Sequence, residues 1–218
     1  MKDIMKIVES QDSKRIEELL SAFRKNAQQE QIDRNELQRL SNEAFIYECR
    51  YVPGLNEDAA GGIPSEKRCL LINVGKRAKP VLLSLATIRP EAVVFVHTAE
   101  TRDVVKEVKA NPAWEQIFQQ KSPYSEQIQI DPLDVPAAYG KLADIISRAG
   151  GKANWMADIT AGKKVMAATL SAFAFWRRIP VVYLNSREVR GIAEPFSERL
   201  EFVENPYDKY GDPLLKAS

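Results

Sequence analysis

From Cys69 onward, short apolar runs alternate with stretches of helical length, and this alternation constrains the fold more than any other feature of the chain. Cys69-Leu70-Leu71-Ile72-Asn73-Val74 ends at Gly75, and Ala92–Val96 reads AVVFV. Gln127–Ile130 alternates apolar and polar residues, and Trp155–Ile159 and Ile179–Leu184 complete the set of candidate strands. Residues 79–89, 102–118, 135–149 and 163–178 read as helices between them. Strands and helices at this spacing predict βαβ units and a parallel sheet. Nearly continuous apolar strands are those covered on both faces. Leu200–Val203 suits an edge strand, antiparallel to the rest. The expected fold class is therefore α/β, a mostly parallel sheet with helices on both faces.

The first third of the chain has a different period. Ile4, Ile7 and Val8, then Ile16, Leu19, Leu20 and Phe23, recur at spacings of three and four. Asp12 or Ser13 suits a helix start, and a second helix is expected from near Asp33 through Leu37, Leu40, Ala44 and Phe45 to about Arg50. Positions 1–50 hold nine basic and ten acidic residues. That balance favours a helical hairpin packed on the domain, or on a twin chain, over a helix lying on a membrane surface. Pro53, Gly54, Gly61, Gly62 and Pro64 then crowd one stretch, which reads as a loop. The expected organisation is an N-terminal helical segment over 1–52, a linker over 53–67, the α/β domain over 68–205 and a tail over 206–218. That tail is too short for a catalytic domain.

Composition excludes several classes. Lys plus Arg is 31 against 30 for Asp plus Glu, so the basic excess of a protein that coats duplex nucleic acid is missing. One histidine, His97, and two cysteines, Cys49 and Cys69, cannot supply the four ligands of a structural zinc site. No metal and no cofactor is expected. No apolar run reaches membrane-spanning length, and Met1 leads into charged residues rather than a signal peptide. A cytoplasmic location with free thiols is expected.

Ligands of open α/β sheets bind beyond the C-terminal ends of the strands. After the first strand, Gly75, Lys76 and Arg77 lead through Ala78 and Lys79 to Pro80. They set positive charge beside a helix start, where the helix dipole disfavours cations and a bound anion relieves the conflict. The glycine spacing of a dinucleotide-binding or Walker loop is absent. After the second strand come His97, Thr98 and Thr101; the threonines suit helix capping or ligand contact, and His97 reads as structural. After the fourth strand, Asp158-Ile159-Thr160-Ala161-Gly162-Lys163-Lys164 opens a helix. Gly162 permits close backbone approach, Thr160 offers a hydroxyl, and Lys163 and Lys164 add charge. Asp158 can orient Lys164 or cap the turn. Asn185, Ser186 and Arg187 follow the fifth strand, and Asn185 is a further candidate ligand contact.

The ordered set of D-x-T-x-G-x-K, a first strand ending in a glycine loop, and HT-x-x-T after the second strand resembles a CARF domain over residues 68–205. These are the Rossmann-like sensors of CRISPR-associated proteins. Asp158, Thr160, Gly162 and Lys164 match the family's D-x-T-G-G-T-K pattern, whereas Ala161 replaces a glycine and Lys163 stands where a small hydroxyl residue is usual. The resemblance implies a homodimer that binds a cyclic oligoadenylate, with cyclic tetra-adenylate foremost, in type III CRISPR antiviral defence. It implies signalling through the N-terminal helices or an effector partner. The alternative it carries is a metal-independent ring nuclease. There the ribose 2′-hydroxyl attacks the adjacent phosphate, and Lys164 and Thr160 are the catalytic candidates. A third reading is an unrelated Rossmann-like nucleotide-binding enzyme.

Overall fold

The computed structural model describes residues 7–29, 31–61, 68–119, 122–149 and 154–207. Two long helices come first, α1 (Ser10–Ala27) and α2 (Arg34–Leu55), followed by one helical turn, α3 (Glu57–Gly61). Ile16, Leu19, Leu20 and Phe23 bury one stripe of α1 against Leu37, Leu40, Ala44, Tyr51 and Val52 of α2. The Asp33 carboxylate accepts hydrogen bonds from the amides of Asn35 and Glu36, which sets the start of α2.

The linker expected over 53–67 is corrected in its first part. Pro53 sits in the last turn of α2, and residues 57–61 are helical. Buried Asn56 closes α2 by donating to the Val52 carbonyl, and its side-chain oxygen accepts from Leu200 N at 2.7 Å. A long-range bond thus replaces the break expected from proline and glycine. The expected 62–67 part of the linker, Ile4, and tail residues 208–218 lie outside the described residues.

The α/β domain comprises β1 (Arg68–Asn73), α4 (Ala78–Ile88), β2 (Ala92–His97), α5 (Arg102–Ala110), α6 (Pro112–Phe118), β3 (Tyr124–Gln129), α7 (Val135–Arg148), β4 (Asn154–Asp158), α8 (Lys164–Trp176), β5 (Val181–Asn185), β6 (Glu188–Val189), β7 (Ile192–Ala193) and β8 (Arg199–Val203). The sheet order is β3-β2-β1-β4-β5-β8, parallel except for β8, which runs antiparallel to β5. This is a Rossmann-like α/β fold. Its strands alternate faces as the period of two requires. Leu70 and Ile72 of β1 join Val81, Leu82 and Leu85 of α4 on one side. Leu71 joins Leu142 of α7 and Leu170 and Phe173 of α8 on the other.

Two further local expectations change. The helix expected over 102–118 divides at Asn111-Pro112, because a residue before proline is driven out of the helical region. Asn111 then caps α6 through Ala113 N. A β6–β7 hairpin follows β5, turning at Arg190 (φ 53°) and Gly191 (φ 74°). Two positive φ angles are what a tight two-residue hairpin needs. Ile192 of the hairpin and Phe196 after it pack into the core of α1 and α2, so the N-terminal helices pack on the hairpin. No helix among the described residues is long and apolar enough to cross a membrane.

Candidate functional site

The strand order reverses between β1 and β4, and the loops after these two strands meet there. A Cβ added at Gly75 would lie 2.7 Å from the Gly162 nitrogen, so the two loops are in backbone contact. Gly162 has φ of 98°, and a Cβ there would lie 3.3 Å from Asn73 Cβ at the end of β1. Both positions therefore need glycine for stated geometric reasons. Asn73 is fully buried beneath this contact, and its amide atoms have no hydrogen-bond partner among the described residues.

A cavity of about 330 Å³ opens at the junction. Its wall includes Lys76, Arg77, Thr101, Thr160, Gly162 and Lys163, and no carboxylate. The two helices that start here, α4 and α8, have Arg77 and Lys163 at their N-caps, with no capping side chain and no acid in the first turn. By contrast Asp33, Asn111 and Asp134 cap α2, α6 and α7. First-turn amides lack intrahelical partners, so the junction offers donors and positive charge together.

Of the residues singled out in the sequence, Gly75, Lys76, Arg77, Thr101, Thr160, Ala161, Gly162 and Lys163 line this cavity. Thr160 is held twice: its amide donates to Asp158 Oδ1 and its hydroxyl oxygen accepts from Leu184 N, both at 2.7 Å. The Thr160 side chain also lies within hydrogen-bonding reach of the Asp158 carboxylate. Asp158 is fully buried below the loop and acts on the turn rather than on Lys164. Burial raises its pKa, while contacts from Ser84 and Thr160 oppose the rise. Lys163 forms an ion pair of 2.8 Å with Glu100, which holds the Glu100 carboxyl below its usual range. Lys164 is the first residue of α8, exposed and outside the cavity wall. Thr98 and Thr101 form a capping box, Thr98 N donating to Thr101 Oγ1 at 3.2 Å. Thr98 does not line the cavity. His97 is buried, and its Nδ1 lies 2.9 Å from the Thr98 carbonyl. Asn185 lies apart: it donates to Glu201 and lines a separate cavity of about 440 Å³ beside Arg24, Arg187 and Arg199.

The structure adds groups that sequence reasoning passed over. A second chamber of about 360 Å³ shares Lys76, Arg77, Pro80 and Thr160 with the first and extends to Gln38, Ser41 and Asn42 of α2. Lys79, two residues past Arg77, lies on its wall. The ammonium is 2.7 Å from Glu48 Oε2, 3.0 Å from the Ser41 carbonyl and 2.9 Å from Ser41 Oγ. Glu48 is fully buried, and Glu198, also buried, completes the cluster. Burial first and the Glu48 charge second push the Glu198 carboxyl up to about 8, against an opposing pull from Lys79. No local motif announces this cluster, because its members stand at 48, 79 and 198. Cys49 and Cys69 are buried and unpaired, and burial raises both thiols.

No family model and no curated protein matches the sequence. Among solved structures, the chain is similar to Can2 from Sulfobacillus thermosulfidooxidans in complex with cyclic tetra-adenylate. The identity is 16%, the TM-score 0.44, and the match covers 54% of this chain and 32% of that one. It is similar to a type III CRISPR defence DNA nuclease activated by cyclic oligoadenylate at 21% identity and a TM-score of 0.44, covering 69% of this chain and 23% of that one. It is also similar to an O-methyltransferase family protein from Burkholderia thailandensis at 12% identity and a TM-score of 0.37, covering 71% of this chain and 43% of that one. The chain thus spans less than half the length of each. None is close enough to carry a function across.

Proposed function

We propose that the chain is a CARF-type sensor that binds a cyclic oligoadenylate at the β1–β4 junction, with cyclic tetra-adenylate as its preferred ring. The observation that carries this reading is the backbone contact of Gly75 with Gly162. It brings three cations and two uncapped helix starts to one cavity whose wall has no carboxylate. Phosphodiester oxygens accept from first-turn amides of α8, and Lys76 and Arg77 supply the counter-charge. Lys163 stays oriented by Glu100. A cyclic ligand with twofold symmetry takes two copies of the chain, each giving the same contacts, so the active form is a homodimer. The ligand's origin in type III CRISPR defence sets the protein in the cytoplasm. The signal leaves through the N-terminal helices or an effector partner.

The test is incubation with cyclic tri-, tetra- and hexa-adenylate, each mixture followed by thermal unfolding and by chromatography of the nucleotide. A rise in melting temperature with the tetra-adenylate recovered intact supports the sensor. Conversion to linear products ending in a 2′,3′-cyclic phosphate makes the protein a ring nuclease. No shift with any ring refutes the reading and promotes a nucleotide-binding enzyme of another kind.

A further inference from the structure

The second chamber differs in chemistry from the phosphate-facing cavity beside it. Lys76 and Arg77 are matched on its wall by Glu107 and Glu188, and Lys79 is paired with Glu48, so the charges nearly cancel. Pro80, Leu83 and Ile192 make apolar surface there. Its volume of about 360 Å³ lies within the ordinary range of small-molecule pockets, roughly 300–1,000 Å³. A balanced, partly apolar chamber opening from a cationic one suits an uncharged group attached to a phosphate.

We propose that this chamber is a nucleobase subsite and that helix α2 supplies its selectivity for adenine. The inference rests on the nucleotide reading of the adjoining cavity. Gln38 and Asn42 stand one turn apart on α2, and Gln38 Nε2 donates to Asn42 Oδ1 at 2.9 Å. That bond orients the Gln38 amide, and both residues border the chamber. Adenine presents an amino donor at N6 beside a ring-nitrogen acceptor, and a single Gln or Asn amide pairs with it through its own oxygen and N–H. Lys76, Arg77, Pro80 and Thr160 border both cavities, so a phosphate in the first leaves its nucleoside at the mouth of the second. The N-terminal helices thereby form part of the ligand site rather than an appendage to it.

The experiment measures binding of cyclic tetra-adenylate, adenosine 5′-monophosphate and ribose 5-phosphate by titration calorimetry. The proteins are wild type, Gln38→Leu and Asn42→Trp. Asn42 is exposed and Gln38 half-buried on α2, so both variants should keep the wild-type circular dichroism spectrum and melting temperature. Loss of a bidentate base contact weakens the adenine ligands about tenfold, and ribose 5-phosphate is unchanged. Adenine affinities within twofold of wild type in both variants overturn the inference; if wild type then still binds the ring, the sensor reading stands alone. Adenosine monophosphate bound by wild type and lost in the variants, with no ring bound, keeps the subsite and removes the sensor. A wild type that binds neither adenine ligand removes both.

Discussion

Gly75→Ala tests the contact on which the site depends, and the geometry sets its size and sign. The new methyl carbon would lie 2.7 Å from Gly162 N, inside any normal carbon–nitrogen contact. The atom it meets is backbone, so no rotamer change relieves the clash and one of the loops must move. Forcing a methyl group into packed structure costs about 1–3 kcal/mol. Alanine also restricts the unfolded chain, which returns roughly 0.4–1 kcal/mol. The net loss is centred on about 1.3 kcal/mol and reaches about 2.6 kcal/mol, a fall in Tm centred on about 3–5 °C for a chain of this size. Gly140→Ala is the control. It lies inside α7, and a Cβ there meets nothing within 4 Å. The same chemical change should therefore stabilise by roughly 0.5–1 kcal/mol, as for glycine in a helix interior. Differential scanning calorimetry of the two variants reads both signs. A Gly75→Ala protein melting at or above wild type would refute the claim that the two loops touch through backbone.

Three further outcomes follow from the charges. Glu198→Gln should flatten the pH dependence of stability: the carboxyl is held up to about 8 from an ordinary 4.5, so its stabilisation is full in acid and is lost as pH rises through that window. Wild type should therefore lose stability between those values while the glutamine variant loses less, and parallel denaturant curves at pH 5 and pH 8 would contradict this. Lys79→Met strands the fully buried Glu48 without its cation and should cost about 3–5 kcal/mol at neutral pH. Urea unfolding at neutral pH checks it, and a loss below about 1 kcal/mol would mean that the carboxylate is not desolvated as its burial implies. Lys164→Ala, exposed at the first position of α8, should leave Tm within a degree or so but weaken cyclic tetra-adenylate binding severalfold and reduce its salt dependence. An unchanged affinity would exclude any contribution of the Lys164 charge, which lies outside the cavity wall.

Periodicity and apolar runs made the sheet legible, because a strand buried on both faces must be apolar along its whole length. The expected strands near 69–74, 92–96, 155–159 and 179–184 appear within two or three residues of their observed limits. The antiparallel edge at β8 also appears. Where expectation failed, a local signal met a distant partner. Pro53 and Gly54 read as a break, yet Asn56 bonds to Leu200 and the helix continues. The division at Asn111 carried turn chemistry that the longer periodic stretch over 102–118 absorbed, and the Arg190-Gly191 hairpin fell between the expected strands, where no element was assigned.

The sequence by itself determined the class of fold, the two glycine-bearing loops, and the cationic helix starts, since each is written in consecutive residues. Tertiary structure alone decided which of these groups meet. It brought Gly75 against Gly162, turned Asn185 toward a different cavity, and used Asp158 as a support for the turn. It also assembled Glu48, Lys79 and Glu198, and it laid α2 along the second chamber. Contacts between residues far apart in the chain follow from strand order and helix packing, and no local pattern encodes them.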